Sequence, residues 1–432
     1  MTTFLALLVI AVTVDCLLKG VDVRPVLLGA GLLLALLAWQ PLLVLQTLLT
    51  EASNWKTIGP ICSAMGYAYV LRATGCDREM VRLLIAPLRR VRWLLIPGGC
   101  VISFLTNIAI TSQTAAAAAV GPVLVPLLLA AGYHPILAAA TLVLGSSGGG
   151  SLFNPGDADL VAIHEASQAP MSQVLETVFM PLVVGFGAAV AAFTLLARRA
   201  PQETVEAHRL APLNESQPIH YVKALLPPLP VAMIFLLLPG WSLFPPLNEL
   251  FPKGLPVPIA MSISTVVVLL VERAAVLAHL RAFAKGASYA YLHIITLIAA
   301  ASCFFTGLTA AGLTEQLVKV VSGSGFFAML ASGLFPGVLA VLSGSGLGPS
   351  VAFSKAVLPV LSQTDLPTAL NLGVFGAIGA SFGRTMSPVS AVVLFTATLV
   401  NVQPGQIIRR VGPALAVGFM AAFLVMLARQ GR

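Results

Sequence analysis

The amino-acid sequence predicts an all-α polytopic membrane protein built from two inverted repeats. Its mean hydropathy is +0.96, and charged residues make up 9% of the 432 residues, whereas soluble proteins carry about 25%. Apolar runs long enough to cross a bilayer as helices recur along the chain. The alternating pattern of a membrane β-barrel is not visible in the sequence. The third observation is an internal repeat.

A polar stretch near the middle of the chain separates two apolar halves of similar pattern. It reads RRAPQETVEAHRLAPLNESQPIHY and predicts a cytoplasmic linker over 200–220, between a first repeat, 1–199, and a second, 221–432. Four features recur in the same order in both halves. The matched pairs are 73–75 with 310–312, Thr106 with Ser343, Asn154-Pro155 with Ser387-Pro388, and 178–199 with 409–430.

Each repeat is predicted to contain three spans, an amphipathic segment, a re-entrant hairpin, a broken helix and a final span. The N-terminal segment lacks a basic region and a cleavage site, so we interpret it as the first span. The first repeat is predicted to contain spans 4–19, 25–49 and 57–74, amphipathic segment 76–92, hairpin 93–131 with arms 93–105 and 115–131, broken helix 135–168 and final span 173–197. The second is predicted to contain spans 221–239, 256–272 and 287–308, amphipathic segment 313–322, hairpin 327–362 with arms 327–342 and 350–362, broken helix 366–400 and final span 407–428.

The distribution of basic residues predicts the orientation of these repeats. With both termini outside, most lysines and arginines fall in cytoplasmic loops, as the positive-inside rule requires. An odd number of crossings in each half then inverts the second repeat relative to the first. This is the architecture of many secondary transporters.

The composition also argues against several other functions. The net charge of +8 is concentrated in loops between spans, so it does not indicate nucleic-acid binding. The five cysteines contain no C-x-x-C pair and do not predict a structural metal site or disulfides. The glycine-rich run at 145–150 lacks the G-K-[ST] ending of a P-loop, so neither ATP nor a soluble cofactor is expected.

Two polar turns interrupt the hairpins at membrane depth. They read LTNIAITSQTA (105–115) and LSGSGLGPSVA (342–352). Non-helical backbone is tolerated there only where it lines a cavity or lies within protein. Hydroxyls, amides and free carbonyls in these turns suit a small cation or a carboxylate, although small residues also serve helix packing. The candidates are Thr106, Asn107, Thr111, Ser112, Ser343, Ser345 and Ser350.

The two broken helices carry the scarce charged residues. The first break, GSSGGGSLFNPGDADL, contains Asp157 and Asp159, and the second, ASFGRTMSPVSAV, contains Arg384. A membrane-buried arginine is costly unless it is paired, so we expect it to meet an anionic substrate. The alternative is a fixed salt bridge between Arg384 and one of the aspartates. The aspartates could bind a proton or Na⁺, or could cap the helix that restarts after the break.

A catalytic interpretation of the same region is weaker. Gly145 to Gly149 also fits a G-x-S-x-G elbow, but that motif needs a preceding strand. An intramembrane serine hydrolase would pair Ser147 with a histidine such as His293. This alternative leaves Arg384 and both hairpins unexplained, so we do not expect an enzyme.

The sequence resembles the DcuC-type C4-dicarboxylate carriers of the ion-transporter superfamily. The most specific segment is GRTMSPVSAVV (383–393), followed by QPGQIIRRVGPALAVG. The segments GDADLVA (156–162) and SGSGLGPSVAF (343–353) are similar to the family in the same order, and the similarity extends from about Ala64 onward. The resemblance implies an elevator-type carrier, usually a homodimer, that moves succinate, fumarate or malate with H⁺ or Na⁺ or by exchange.

These observations assign expected roles to residues of an inner-membrane carrier. Another carboxylate, such as a monocarboxylate or an amino-acid-derived anion, or Na⁺/H⁺ exchange on the same fold, stays an alternative. Expected to bind substrate are Arg384, Thr385, Ser387, Ser343, Ser345, Ser350, Thr111, Ser112 and Asn154; expected to couple an ion or proton are Asp157, Asp159, Asn107 and Thr106.

Overall fold

A computed structural model describes most of the chain, and it is helical throughout that part. The described residues are 2–18, 21–87, 94–198, 218–237, 251, 255–312 and 325–430. Seven helical segments among them are long and apolar enough to cross a membrane. The predicted fold class, an all-α polytopic membrane protein, is therefore confirmed. The seven segments are Gln113–Ala130, Pro135–Ser167, Met171–Arg198, Arg273–Ala310, Gly325–Ser343, Leu366–Thr385 and Pro404–Arg429.

The helices of the two halves are numbered in chain order. In the first half they are α1 Thr2–Leu18, α2 Val23–Leu37, α3 Pro41–Ala52, α4 Trp55–Thr74, α5 Cys76–Ile85, α6 Leu95–Ala109, α7 Gln113–Ala130, α8 Pro135–Ser147, a 3₁₀ turn Gly150–Phe153, α9 Ala158–Ser167 and α10 Met171–Arg198. In the second half they are α11 Tyr221–Leu225, α12 Leu229–Leu236, α13 Val257–Val271, a 3₁₀ turn Arg273–Ala275, α14 Val276–Ala290, a π-helix Tyr291–Ile295, α15 Thr296–Ala310, α16 Gly325–Ser343, α17 Leu347–Leu361, α18 Leu366–Thr385, α19 Ala391–Val400 and α20 Pro404–Gln430.

Several predicted spans differ from the helices observed. The predicted span 25–49 is two helices, because α2 ends at Leu37 and α3 begins at Pro41. Proline has no N–H to donate and suits the first turn of a new helix. Trp39 between them has φ of 59°, which turns the chain back.

The predicted span 221–239 is likewise divided, into α11 and α12 on either side of Pro227-Pro228. The predicted span 287–308 is part of a longer helical segment that begins at Val276. The amphipathic segment predicted at 313–322 and most of the predicted linker, 201–217, lie outside the described residues.

Polar residues at helix N-termini mark where several helices begin. Asn54, Ser112, Asp157 and Asp365 each accept a hydrogen bond from a backbone N–H in the first turn of α4, α7, α9 and α18. Such caps satisfy N–H groups that have no partner within the helix. In an apolar chain, these few polar side chains therefore define element boundaries.

Both hairpins and both helix breaks occur close to their predicted positions. The hairpins are α6 with α7 and α16 with α17, and their turns are only three residues long, at 110–112 and 344–346. The first broken helix is α8 with α9, interrupted at 148–157, and the second is α18 with α19, interrupted at 386–390. The arms are longer and the turns shorter than predicted, because the polar residues beside each turn are helical.

Unusual backbone conformations fall at matching places in the two halves. Gly75 and Gly312 both have φ of 73°, and each follows a long helix. Gln168 and Asn401, with φ of 58° and 54°, follow the second parts of the broken helices. A hairpin, a broken helix and a long helix then occur in the same order in each half. The inversion of one half relative to the other stays a prediction.

Glycines allow α16 and α18 to approach closely. A Cβ at Gly379 or Gly383 would collide with the backbone of Gly333 or Gly337 on α16. Small residues spaced in this way let membrane helices pack backbone to backbone. The contact fixes the last turn of α18, which carries Arg384.

The buried apolar residues form two main groups with a smaller group between them. The largest combines both hairpins, both broken helices, α10 and α20. A second gathers α4, α12 and α13. A third joins α4 and α15 to α9 and α17. The breaks and hairpin turns lie beside this third group.

Candidate functional site

The two hairpin turns and the two helix breaks converge on one cavity of about 300 Å³. This volume is at the lower end of the range for small-molecule sites. Both halves contribute polar side chains, and α4, the end of α14 and the π-helix that follows it supply the rest of the wall. The predicted residues that line the cavity are Thr111, Ser112, Asp157, Ser345 and Arg384.

Arg384 brings a positive charge to this cavity, and its guanidinium forms few hydrogen bonds with the protein. Its Nη2 donates one long hydrogen bond, 3.5 Å, to Ser381 Oγ, and its buried Nε has no partner among the described residues. A guanidinium has five N–H donors. Most of its hydrogen-bonding capacity is therefore available to a ligand in the cavity.

The two aspartates lie near Arg384 but do not neutralise it by direct contact. Both carboxylates act electrostatically on the guanidinium, yet among the described residues neither forms an ion pair with it. Asp157 lines the cavity and also caps α9, since its Oδ1 accepts from Asp159 N at 3.0 Å. Asp159 is 6% exposed, and its Oδ1 has no hydrogen-bond partner there. A fixed salt bridge is therefore not what holds Arg384.

Two asparagines connect the first hairpin to the first break. Asn107 accepts from Ser151 N at 2.9 Å and donates to Ile110 O at 3.0 Å. Asn154 donates to Ile108 O at 2.8 Å and accepts from Gly156 N at 2.9 Å. Their amide groups are thus already engaged in holding the turn and the break together.

Thr385 joins the two breaks. Its hydroxyl lies within donating distance of two carbonyls, Ser147 O at 2.6 Å and Ser381 O at 2.8 Å, and 2.7 Å from the Ser147 hydroxyl. Thr385 and Ser147 are both fully buried and lie behind the cavity wall. In the described residues no hydrogen bond joins Ser147 to His293, whose Nδ1 instead bonds the Tyr289 carbonyl.

The other predicted residues are placed around the site without lining it. Thr106 bonds Ile102 O within α6, and Ser343 bonds Leu339 O within α16. Ser350 lies beside Asp159, and Ser387 lies in the second break; among the described residues neither hydroxyl has a hydrogen-bond partner. Substrate and ion-binding roles for these residues stay predictions.

Five polar side chains in the cavity wall were not predicted. Gln113, Thr114 and Ser390 are neighbours of predicted residues, and the turn sequences TSQTA and MSPVS could have indicated them. Tyr289 and His293 come from the end of α14 and the π-helix, far from any polar motif. Only the fold brings them to the cavity.

A polar cavity enclosed by hairpin turns and helix breaks, within a multi-pass helical membrane protein, defines a membrane solute carrier. The arrangement follows the rule that broken helices of carriers expose helix ends and free backbone groups to the solute. The chain matches the C4-dicarboxylate anaerobic carrier (DcuC) family over residues 61–431 and belongs to that family. The predicted resemblance is confirmed.

Individual relatives agree with this assignment. A putative uncharacterized transporter of Haemophilus influenzae is 39% identical over 136 residues, which cover 32% of this chain and 94% of the relative. The anaerobic C4-dicarboxylate transporter DcuC of Escherichia coli K12 is 23% identical over 378 residues, or 82% of this chain and 77% of that protein. A probable DcuC transporter of Vibrio cholerae is 24% identical over 376 residues, 83% of this chain and 79% of the relative.

Proposed function

We propose that the protein carries a C4-dicarboxylate such as succinate, fumarate or malate across the bacterial inner membrane. The observation that carries this proposal is the Arg384 guanidinium, which faces the cavity and forms no ion pair with a described carboxylate. An arginine fork binds a carboxylate through two parallel hydrogen bonds. The relatives named as C4-dicarboxylate transporters support the same class of substrate.

Helix ends supply further attraction for an anion. The first residues of α19, Ala391 and Val392, line the cavity, and the Ser390 side chain does not cap that helix. The N-terminal residues of α7, Gln113 and Thr114, line it as well. Helix N-termini carry free N–H groups and a partial positive charge. A dianion therefore has a binding group at Arg384 and others at these ends.

Coupling to H⁺ or Na⁺, or to exchange of a second anion, is assigned to the first break. Asp157 is the carboxylate that lines the cavity. Asp159 is buried and does not line the cavity. Asn107 is engaged in structural hydrogen bonds, so we place the coupling group at Asp157 rather than at the amides.

An elevator movement suits the grouping of the helices. The hairpins and broken helices share one core cluster and would move together. The helices α2, α3 and α4, whose buried residues belong mainly to other clusters, would form the fixed scaffold of a homodimer. Among the described residues, an ion pair crosses between these parts, from Lys355 on α17 to Glu51 on α3 at 2.9 Å. A displacement of α17 along the scaffold would have to open this pair.

The test is uptake of labelled succinate into liposomes containing the purified protein. Arg384→Gln is expected to lose uptake, because a charged hydrogen-bond partner of a buried carboxylate contributes about 2–5 kcal/mol. Arg410→Gln, at an exposed position on α20, is the matched control and is expected to transport normally. Near-normal uptake by Arg384→Gln would contradict the proposal, and a response to Na⁺ or pH alone would favour a cation exchanger.

A further inference from the structure

His293 faces the cavity from a distorted part of the scaffold. It lies in the π-helix Tyr291–Ile295, between α14 and α15, and lines the same cavity as Arg384 and Asp157. π-helical turns are rare and occur frequently at functional sites. The ring of His293 stacks on Tyr289, with centroids 4.2 Å apart and planes 17° from parallel.

One hydrogen bond determines which ring nitrogen carries the proton. His293 Nδ1 lies 3.0 Å from the Tyr289 carbonyl oxygen. A carbonyl only accepts hydrogen bonds, so Nδ1 must be the donor. In the neutral imidazole, Nε2 then has a lone pair and can only accept. It can donate to a carboxylate only after a second proton has bound to the ring.

This tautomer links the binding of a carboxyl group to the uptake of one proton. An ionised carboxylate next to Nε2 needs an imidazolium, whereas a neutral imidazole needs a protonated carboxyl group. In either case one proton is shared between the ring and the carboxyl group. Histidine is the residue suited to such an exchange near neutral pH.

We propose, on the basis of the proposed function, that His293 binds the second carboxyl group of the dicarboxylate together with one proton. Arg384 holds the first carboxylate without any change of protonation, since arginine stays charged. The pair distinguishes a dianion from a monocarboxylate, because only a dianion places a carboxyl group at both residues.

The charged and titratable groups around His293 are compatible with this role. Asp22 is the carboxylate on its scaffold side, and Arg24 already pairs with it at 2.6 Å. This bond holds the pKa of the Asp22 carboxyl below its usual value. Arg24 also donates to Leu292 O at 3.1 Å and so anchors the π-helix. Tyr289 packs against the ring, Tyr69 lies behind Tyr289, and Asp157 and Arg384 share the cavity.

The experiment is calorimetric titration of the purified full-length protein with succinate, in buffers of different ionisation enthalpy across about pH 6–8. The wild-type protein is expected to take up a proton with each succinate as the pH rises. Its Kd should increase by about tenfold per pH unit wherever one proton is taken up with each succinate, as linkage to one proton requires. His293→Gln, whose side-chain amide donates a hydrogen bond without binding a proton, should lose the proton uptake, and its Kd for succinate should no longer rise with pH.

His164→Gln is the matched control, since His164 Nδ1 also bonds a backbone carbonyl, that of Ala169, but does not line the cavity. It should behave as the wild type. Unchanged proton uptake in His293→Gln would overturn the inference, and so would loss of uptake in Asp157→Asn alone. Absence of succinate binding to the wild-type protein would instead contradict the proposed function.

Discussion

The two helix breaks have similar positions in their halves but opposite hydrogen-bonding states. At the first break, Asn154 and the neighbouring Asn107 of α6 each donate to a backbone carbonyl and accept from a backbone N–H. In the second, Arg384 Nε and the hydroxyls of Ser387 and Ser390 are buried without partners among the described residues. The first break is therefore held in place by the protein, whereas the second is left open to a ligand.

This difference has an energetic meaning. A buried polar group without a partner costs about 1–3 kcal/mol, and such groups are rare in folded proteins. Several lie together around the second break, where the cavity also lies. A ligand that supplied their hydrogen bonds would recover this free energy. The first break has much less to gain from a ligand.

Asn154→Ala is expected to have the largest effect on stability. The change leaves Ile108 O and Gly156 N without the hydrogen bonds that the amide makes. With about 1–3 kcal/mol for each of the two groups, the protein should lose about 2–6 kcal/mol. Thermal unfolding of the purified protein without substrate measures the loss. An unchanged Tm would show that the Asn154 hydrogen bonds do not stabilise the first break.

Thr385→Val should have an intermediate effect on stability, because it removes the hydrogen bonds between Thr385 and Ser147 while keeping the side-chain shape. The Ser147 hydroxyl and carbonyl both lose a partner. We expect a destabilisation of about 1–3 kcal/mol and a higher Kd for succinate, since Arg384 is the preceding residue. If only the Kd changed, at normal Tm, Thr385 would be a direct ligand rather than a joint.

Ser390→Ala should be the least destabilising of the three changes without substrate. Its hydroxyl is buried and has no partner among the described residues, so the change removes an unsatisfied group and should leave the substrate-free protein at least as stable as the wild type. Succinate binding should weaken by about three- to tenfold, the value of one hydrogen bond. A large destabilisation of the substrate-free protein would mean that Ser390 is structural, as the asparagines are.

The sequence predicted more of this fold than of its site. Hydropathy and the repeat located the hairpins and breaks, because spanning length and helix-breaking residues are local properties. The sequence pattern did not show that the predicted span 25–49 is two helices, separated where Trp39 and Pro41 turn the chain back within an apolar run. In a continuously apolar segment, hydropathy alone does not separate one long helix from two short ones.

The site was predictable where charge is scarce and unpredictable where it depends on packing. Arg384 and Asp157 stood out in an apolar chain, and both line the cavity. Asn107 was predicted to couple an ion and Asn154 to bind substrate, and the structure shows the amides of both in hydrogen bonds to backbone groups. His293 reached the cavity only through the packing of the scaffold, which no local pattern encodes.

The most direct test of the open second break is thermal stabilisation of the purified protein by mono-, di- and tricarboxylates, with and without Na⁺ and across pH. A ligand that binds only the folded state stabilises it by about 2.7 kcal/mol at a hundredfold excess over Kd. Selective stabilisation by a four-carbon dicarboxylate, lost in Arg384→Gln and kept in Arg410→Gln, is the predicted result. Equal stabilisation of Arg384→Gln, or none by any carboxylate, would contradict the account.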